Sequence, residues 1–484
     1  MHDAPDLAVG LIAEARAALG ADETLAQRLD SLQQRLNQPL VLAVAGTVKA
    51  GKSTLVNALV GARVAPTGES GGTRWITWYR HAPSPVVEVH TRDGRTRIRQ
   101  LEARESWDRA LAGIDPETVD HLEVGWPADL LRELTLVDTP GIDSVSARAA
   151  ARARSFLIPT AGPSGADALL YVVRGLGEQD IATMAAFQRS GGPAAVNALV
   201  VLARADEIGP RPVRSLDAAH QVAADMQQVR LAAAALGVHP VAGLLGQGAA
   251  TVPIDVAALQ SLAALTSQER ERQLASVDRF LLADGGAGPS GEIRARLLQE
   301  LGLYGVRIAV DLVRDGLTDG AEVRHRLVRH AGVDDLLATL RCHWLPRRSA
   351  LTSRAIAAGV AAMLPSPDRR GELSRVMASL ERLEAAGHDG QELMLLSEAR
   401  CGGLPLPDAQ ARAAARLVGG DGVSVTARLG MAEGTSLAVL REAAGIERDR
   451  WRSLSHRPLT DQRMLRVCRV VLASLERIEA RLSG

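Results

Sequence analysis

The chain has 484 residues, 46% of them hydrophobic and 23% charged, which fits two or three globular domains and excludes a disordered segment. Its formal net charge is zero, so no global field draws it to nucleic acid or anionic lipid, and no nucleic-acid partner is expected. Aromatics are only 2%, so its cores must be built from Leu, Val, Ile and Ala, a composition that favours helix packing over a β-sandwich.

The first 37 residues read as helix, with Leu25, Leu29, Leu32 and Leu36 at helical spacing and Asn37-Gln38-Pro39 ending the run. From Leu40 the pattern changes to short apolar runs alternating with helices. Strands are expected at Val41–Ala45, Ile76–Arg80, Val86–His90, Leu134–Val137, Leu169–Val173, Ala198–Leu202 and Val238–Val241. Helices between several of these strands imply an α/β domain with a mostly parallel sheet and helices on both faces. After about Leu245 amphipathic helices dominate, apart from a weak strand signal at Val423–Val425. The last helix, Asp461–Leu482, carries Met464, Val467, Val471, Leu475, Ile478 and Leu482 on one stripe. The expected organisation is a helical segment 1–39, an α/β domain 40–265 and a helical neck and trunk 266–484. The first and last helices are expected to pack together in a neck.

The N-terminal MHDAPDLAVG lacks the basic region and apolar core of a signal peptide. The longest apolar stretch, Ala355–Leu364, is half the roughly 20 residues that a spanning helix needs. Cys342, Cys401 and Cys468 are odd in number and lack metal-ligand spacing, as expected of free thiols in a reducing compartment. A cytoplasmic protein, soluble or peripheral on the cytoplasmic face of the membrane, is expected.

Gly46-Thr47-Val48-Lys49-Ala50-Gly51-Lys52-Ser53 fits G-x-x-x-x-G-K-[ST] after a strand and before the helical LVNALVG, so a phosphate-binding loop from Gly46 to Thr54 is expected. In such a loop the glycines let the backbone wrap phosphates, and the N–H groups point at them. Lys52 would reach the β- and γ-phosphates and the Ser53 hydroxyl would bind Mg²⁺. Asp138-Thr139-Pro140-Gly141 follows the strand LTLV, placing a carboxylate for Mg²⁺ and the Gly141 N–H for the γ-phosphate. Thr73, in the stretch Pro66–Arg74, is a candidate to give its hydroxyl to Mg²⁺ and its carbonyl to the attacking water. Arg204-Ala205-Asp206 follows the strand NALVVL. The Asp206 carboxylate can accept both N1–H and N2–H₂ of guanine, a pattern adenine cannot offer, with the Arg204 stem lying along the base. Asp206 therefore argues against an ATPase. Ala242, after Val238–Val241, is a candidate for the loop over the base.

These motifs resemble the dynamin superfamily of GTPases: Pro66 to Thr73-Arg74 is similar to its first switch and VDTPGI to its second. More narrowly, AGTVKAGKSTLVNALVG, TRWITWYRH, ARADEIG and SVDRFLL resemble the isoniazid-inducible dynamin-like proteins of actinobacteria, especially the shorter of that pair. The resemblance is most specific from Leu40 to His81. It implies a GTPase head with GTP and GDP as substrate and product, a neck made of distant segments, and a helical trunk. It also implies membrane remodelling through pairing of heads, with itself or a paired dynamin-like protein, and anionic membrane lipid as a further partner.

Two positions depart from the eukaryotic pattern. Val48 and Lys49 replace glutamine and serine in the loop, and Ile142 follows the second-switch glycine, so no glutamine there can orient water. Of 56 basic residues only two are lysine, Lys49 and Lys52. In guanylate-binding proteins and atlastins the position matching Lys49 holds an arginine that acts as a finger in cis, which makes Lys49 a candidate catalytic cation. The rival expectation is a regulatory or assembly GTPase whose helical region binds a protein. A short apolar helix end at Ala355–Leu364, followed by Pro365–Gly371 with its two arginines, is the candidate trunk tip.

Overall fold

The computed structural model describes residues 4–19, 22–67, 74–100, 113–115, 117–144, 146–159, 164–190, 196–209, 215–231, 235–283, 288–364, 373–385, 387–457 and 461–483. Thr73 and the candidate tip 365–371 lie outside these residues.

The N-terminal segment is two helices, α1 (Ala4–Leu19) and α2 (Glu23–Asn37), where the periodicity predicts one. Asp22 starts α2, its carboxylate accepting from the backbone N–H of Thr24 and Leu25. Among the described residues nine strands follow: β1 (Leu40–Gly46), β2 (Ile76–His81), β3 (Val86–Thr91), β4 (Thr96–Gln100), β5 (Val119–Trp126), β6 (Leu134–Asp138), β7 (Ala168–Val173), β8 (Ala198–Ala203) and β9 (Val238–Val241). They form one sheet in the order β4-β3-β5-β2-β6-β1-β7-β8-β9.

The sheet is mixed. β6, β1, β7, β8 and β9 run parallel, whereas β2 pairs antiparallel with β6, and β3 is antiparallel to both β4 and β5. All seven strands expected from apolar runs are present; β4 and β5 are additional. β1, β7 and β8 are apolar and buried along their whole length because helices cover both faces.

After β9 the described residues are helical or irregular. The expected strand at Val423–Val425 is a helix start: the Ser424 hydroxyl accepts from the Ala427 N–H and caps a helix Val425–Leu429. That local hydrogen bond overrides the β-preference of two valines.

One apolar core runs without a break across residue 265, from β1, β6 and β7 through the helices Gly243–Thr251 and Gly291–Arg314 to the last helix, Gln462–Ser483. A second fills the opposite face of the sheet, and a third joins α1 and α2 to the helices Arg348–Met363 and Ser374–Ala385. The expected pairing of first and last helices is therefore corrected. Leu29, Leu32 and Leu36 pack with Ile356, Val360 and Leu380, whereas the stripe of Gln462–Ser483 packs mainly on Leu437–Ser455. Both stripes are as amphipathic as expected, and each found a different partner.

Polar groups tie these parts together. Arg35 of α2 donates to Asp167 (2.9 Å) and to the Ser164 carbonyl (2.7 Å), and Asp167 accepts from the Val41 N–H at the start of β1. In the helical half Glu392 is fully buried and accepts from Arg347 (2.7 Å), Arg428 (2.6 and 2.9 Å) and Ser474 (2.8 Å). Burial opposes its charge. The hydrogen bonds from His388 and Arg428, with both arginine charges, outweigh that and hold its carboxyl far below the usual range.

Candidate nucleotide site

The site lies where the sheet order reverses direction, since β1 has β6 on one side and β7 on the other. The Gly46–Gly51 loop leaves the end of β1 and enters α3 (Lys52–Val60). Gly46 sits at φ 143° with a would-be Cβ only 2.1 Å from the Val172 carbonyl oxygen, so no side chain fits there. Gly51 precedes α3 at φ 102°.

Lys52 is buried, and its ammonium donates to the carbonyls of Thr47 (2.8 Å) and Gly46 (3.3 Å). Burial pushes its pKa down, while the carboxylates of Asp138 and Asp143 oppose the shift. Parallel pairing sets Asp138 beside Val44. From there the Asp138 carboxylate, itself fully buried, accepts from the Ser53 hydroxyl at 2.7 Å.

The segment after β6 is laced to the loop. Thr139 N donates to Val44 O (3.2 Å), Ile142 N to Gly46 O (3.2 Å), and Val48 N to Asp143 Oδ1 (2.6 Å). Gly141 rests directly on the loop, for a Cβ there would stand 2.4 Å from Val48 Cγ2 and 3.0 Å from the Val48 backbone. Asp143 escaped the sequence reading. It stands two residues past Gly141, but no spacing rule says that its carboxylate reaches back to the loop.

Among the described residues only two without glycine's freedom have positive φ, Lys49 (60°) and Arg204 (54°). Both belong to this site. Lys49 is exposed on the loop. Arg204 precedes the turn Ala205–Glu207, and its guanidinium donates to Glu207 at 2.9 Å. Burial pushes the Asp206 carboxyl up, its own backbone hydrogen bond and Arg204 opposing and Glu207 adding. Tyr304, from the Gly291–Arg314 helix, is pushed up to about 12 by burial and by the charges of Asp206 and Asp217. Tyr304 stands 98 positions from Asp206 and carries no sequence signal.

Ala242 precedes the helix Gly243–Thr251, and a Cβ at the next residue, Gly243, would stand 3.6 Å from the Thr54 side chain. Ala242 is fully buried, and its N–H donates to the Ala331 carbonyl at 2.9 Å. The structure thus gathers Gly46 to Thr54, Asp138 and Gly141, sets Arg204 and Asp206 on the β8 loop, and buries Ala242 ahead of the helix Gly243–Thr251.

Residues 42–205 match the family model described as Dynamin family. The isoniazid-induced protein IniC of Mycobacterium tuberculosis is 33% identical over 470 residues, which cover 94% of this chain and 93% of that protein. The chain belongs to the dynamin-like GTPases. This dynamin-like GTPase hydrolyses GTP to GDP and phosphate, as its family does. Isoniazid-induced protein IniA of the same organism is 34% identical over 147 residues, 28% of this chain and 23% of that protein. The bacterial dynamin-like protein of Nostoc punctiforme is 32% identical over 139 residues, 26% and 19% of the two chains. A solved structure of an oligomerised bacterial dynamin pair covers 100% of the dynamin-like chain and 75% of its own at TM-score 0.35 and 13% identity, which adds no argument to these matches.

Proposed function

We propose that the chain is a dynamin-like mechanoenzyme that hydrolyses GTP at the Gly46–Thr54 loop and acts at the inner face of the cell membrane. The observation that carries the site assignment is the hydrogen-bonded oxygen pair of Ser53 and buried Asp138 beside buried Lys52. A buried carboxylate and a hydroxyl, both hard oxygen donors, fit Mg²⁺. Ser53 and Asp138 would hold it, with Thr73 assigned by its place in the sequence. Bound there, the ion would neutralise negative charge on the phosphate oxygens.

The loop and its neighbours do the rest. Lys52 exchanges the Gly46 and Thr47 carbonyls for phosphate oxygens, and the backbone N–H groups of Val48 to Thr54 wrap the phosphates. The Gly141 N–H meets the γ-phosphate. Asp206 accepts two hydrogen bonds from guanine, and the Arg204 stem covers the base edge. Lys49, held in a left-handed conformation that costs a lysine about 1–2 kcal/mol, projects a cation from the loop toward the bridging oxygen.

Among the described residues no helix is long and apolar enough to cross a membrane, so lipid contact would be peripheral. The long helical half, residues 266–484, supports a mechanical output. Pairing of heads, with itself or a related dynamin-like chain, belongs to the same reading, as the dynamin resemblance implies. Co-sedimentation with vesicles containing anionic lipid tests the membrane reading. Binding that is stronger with GTP than with GDP is expected. Absence of binding in an enzyme that still turns over GTP would favour a regulatory GTPase whose helical half docks on a protein.

A further inference from the structure

β3 and β5 lie beyond β2 and β6 from the phosphate loop, and there four polar residues form a two-by-two block. Antiparallel pairing sets Glu88 opposite Glu123 and His90 opposite His121. Residues two apart on a strand share a face, so all four project from the same side of the sheet. The imidazoles stack with centroids 4.3 Å apart and planes 6° from parallel.

Each ring already has its Nδ1 engaged from outside. His121 Nδ1 lies 2.9 Å from Asp120 Oδ2, and His90 Nδ1 lies 3.1 Å from the Thr96 hydroxyl. An Nδ1–H that donates to such a partner leaves Nε2 as a bare lone pair, the arrangement found behind metal-ligating histidines. His90 Nε2 is buried and makes no hydrogen bond among the described residues. Glu123 is prepared in the same way: Arg80 holds its Oε2 at 2.8 Å, while Oε1 stands 3.8 Å from His121 Nε2. One ligand atom from each of His90, His121 and Glu123 lies within 4.8 Å of the others. Glu88, paired across from Glu123, has its Oε2 3.8 Å from His90 Nε2.

We propose that His90, His121 and Glu123, with Glu88 as fourth ligand, form a binding site for a divalent transition metal of the zinc class that clamps β3 to β5. Two imidazole nitrogens and carboxylate oxygens suit zinc rather than magnesium or calcium, which prefer oxygen alone. Tetrahedral bonds of about 2.0–2.1 Å require the stacked rings to splay so that both Nε2 atoms converge on one point. Four protein ligands close the coordination sphere, which makes the site structural. It is separate from the Ser53–Asp138 oxygen pair, since β2 lies between β5 and Asp138 at the end of β6.

The test uses the full chain, stripped with chelator and saturated with GDP and Mg²⁺, then titrated with Zn²⁺ alone by calorimetry. One equivalent is expected to bind. His90→Ala with His121→Ala should weaken binding at least a hundredfold, and Asp120→Asn, which removes only the outer partner of His121, about tenfold. Co²⁺ in place of Zn²⁺ should give visible tetrahedral absorption bands that the double variant lacks. If the double variant does not fold, His90→Gln alone should still weaken binding at least tenfold. No Zn²⁺ binding by the unmodified chain, or unchanged affinity in the folded histidine variants, would overturn the proposal.

Discussion

Replacing Lys49 should separate the stability of the loop from its chemistry. The residue is exposed, so truncation of a merely solvated lysine would change stability by no more than about 0.5 kcal/mol and leave turnover intact. Its backbone, however, sits at φ 60°, where a side chain costs roughly 1–2 kcal/mol that glycine does not incur. Glycine returns about 0.5–1 kcal/mol of that to the unfolded chain. Lys49→Gly should therefore fold as well as the parent or better by up to roughly 1 kcal/mol, whereas Lys49→Ala keeps the strain. A cation in the transition state is worth about 10³–10⁵ in rate, or roughly 4–7 kcal/mol. Both variants should bind GTP within several-fold of the parent yet release phosphate at least a hundredfold more slowly. The parent rate should not depend on potassium or sodium, because the lysine supplies the charge. Urea unfolding and a continuous phosphate-release assay on the same preparations read both effects. Turnover within tenfold of the parent in Lys49→Ala would refute the reasoning.

Asp206→Asn should weaken GTP binding strongly and restore some affinity for xanthosine nucleotides, read by displacement of a fluorescent nucleotide. In Gly141→Ala the new methyl meets Val48 Cγ2 at 2.4 Å, so phosphate release should fall at least tenfold; adding Val48→Ala should recover part of it. Glu392→Gln leaves Arg347 and Arg428 buried beside a neutral amide and should cost about 3–5 kcal/mol in urea unfolding, with little change in GTP affinity. His343 accepts from Arg400 (2.8 Å), and burial with the Arg400 and Arg347 charges depresses its pKa to about 3. The unfolded chain takes up this proton near pH 6.5 and the folded chain only near 3. Stability present above pH 6.5 should thus be lost as the pH falls through that window, by up to about 1.4 kcal/mol per unit, and less steeply in His343→Gln.

The seven strands legible in the sequence are those whose apolar runs lie in the buried part of the sheet. β4 escaped because all five of its residues are exposed, so it carries no apolar pattern. β5 escaped because Asp120, His121 and Glu123 interrupt its apolar positions Val119, Leu122 and Val124, and its partners are distant in sequence. The phosphate loop was legible because its glycines answer to local sterics, as Gly46 against Val172 illustrates. Asp143, Tyr304 and the burial of Ala242 were not, because each depends on where a distant segment packs. The same limit explains the two terminal helices. An amphipathic stripe predicts that Leu29 and Leu32, or Val471 and Leu475, will be buried, but not which helix buries them.

If GTP is hydrolysed at the loop between β1 and α3, the reaction depends on Lys52. Phosphate release should be measured with GTP and with ATP, in Mg²⁺, for the parent chain and Lys52→Ala. The parent is expected to hydrolyse GTP and leave ATP essentially untouched, and Lys52→Ala to lose at least a hundredfold of the GTP rate. Equal hydrolysis of ATP, or a Lys52→Ala variant that keeps the parent rate, would contradict the account.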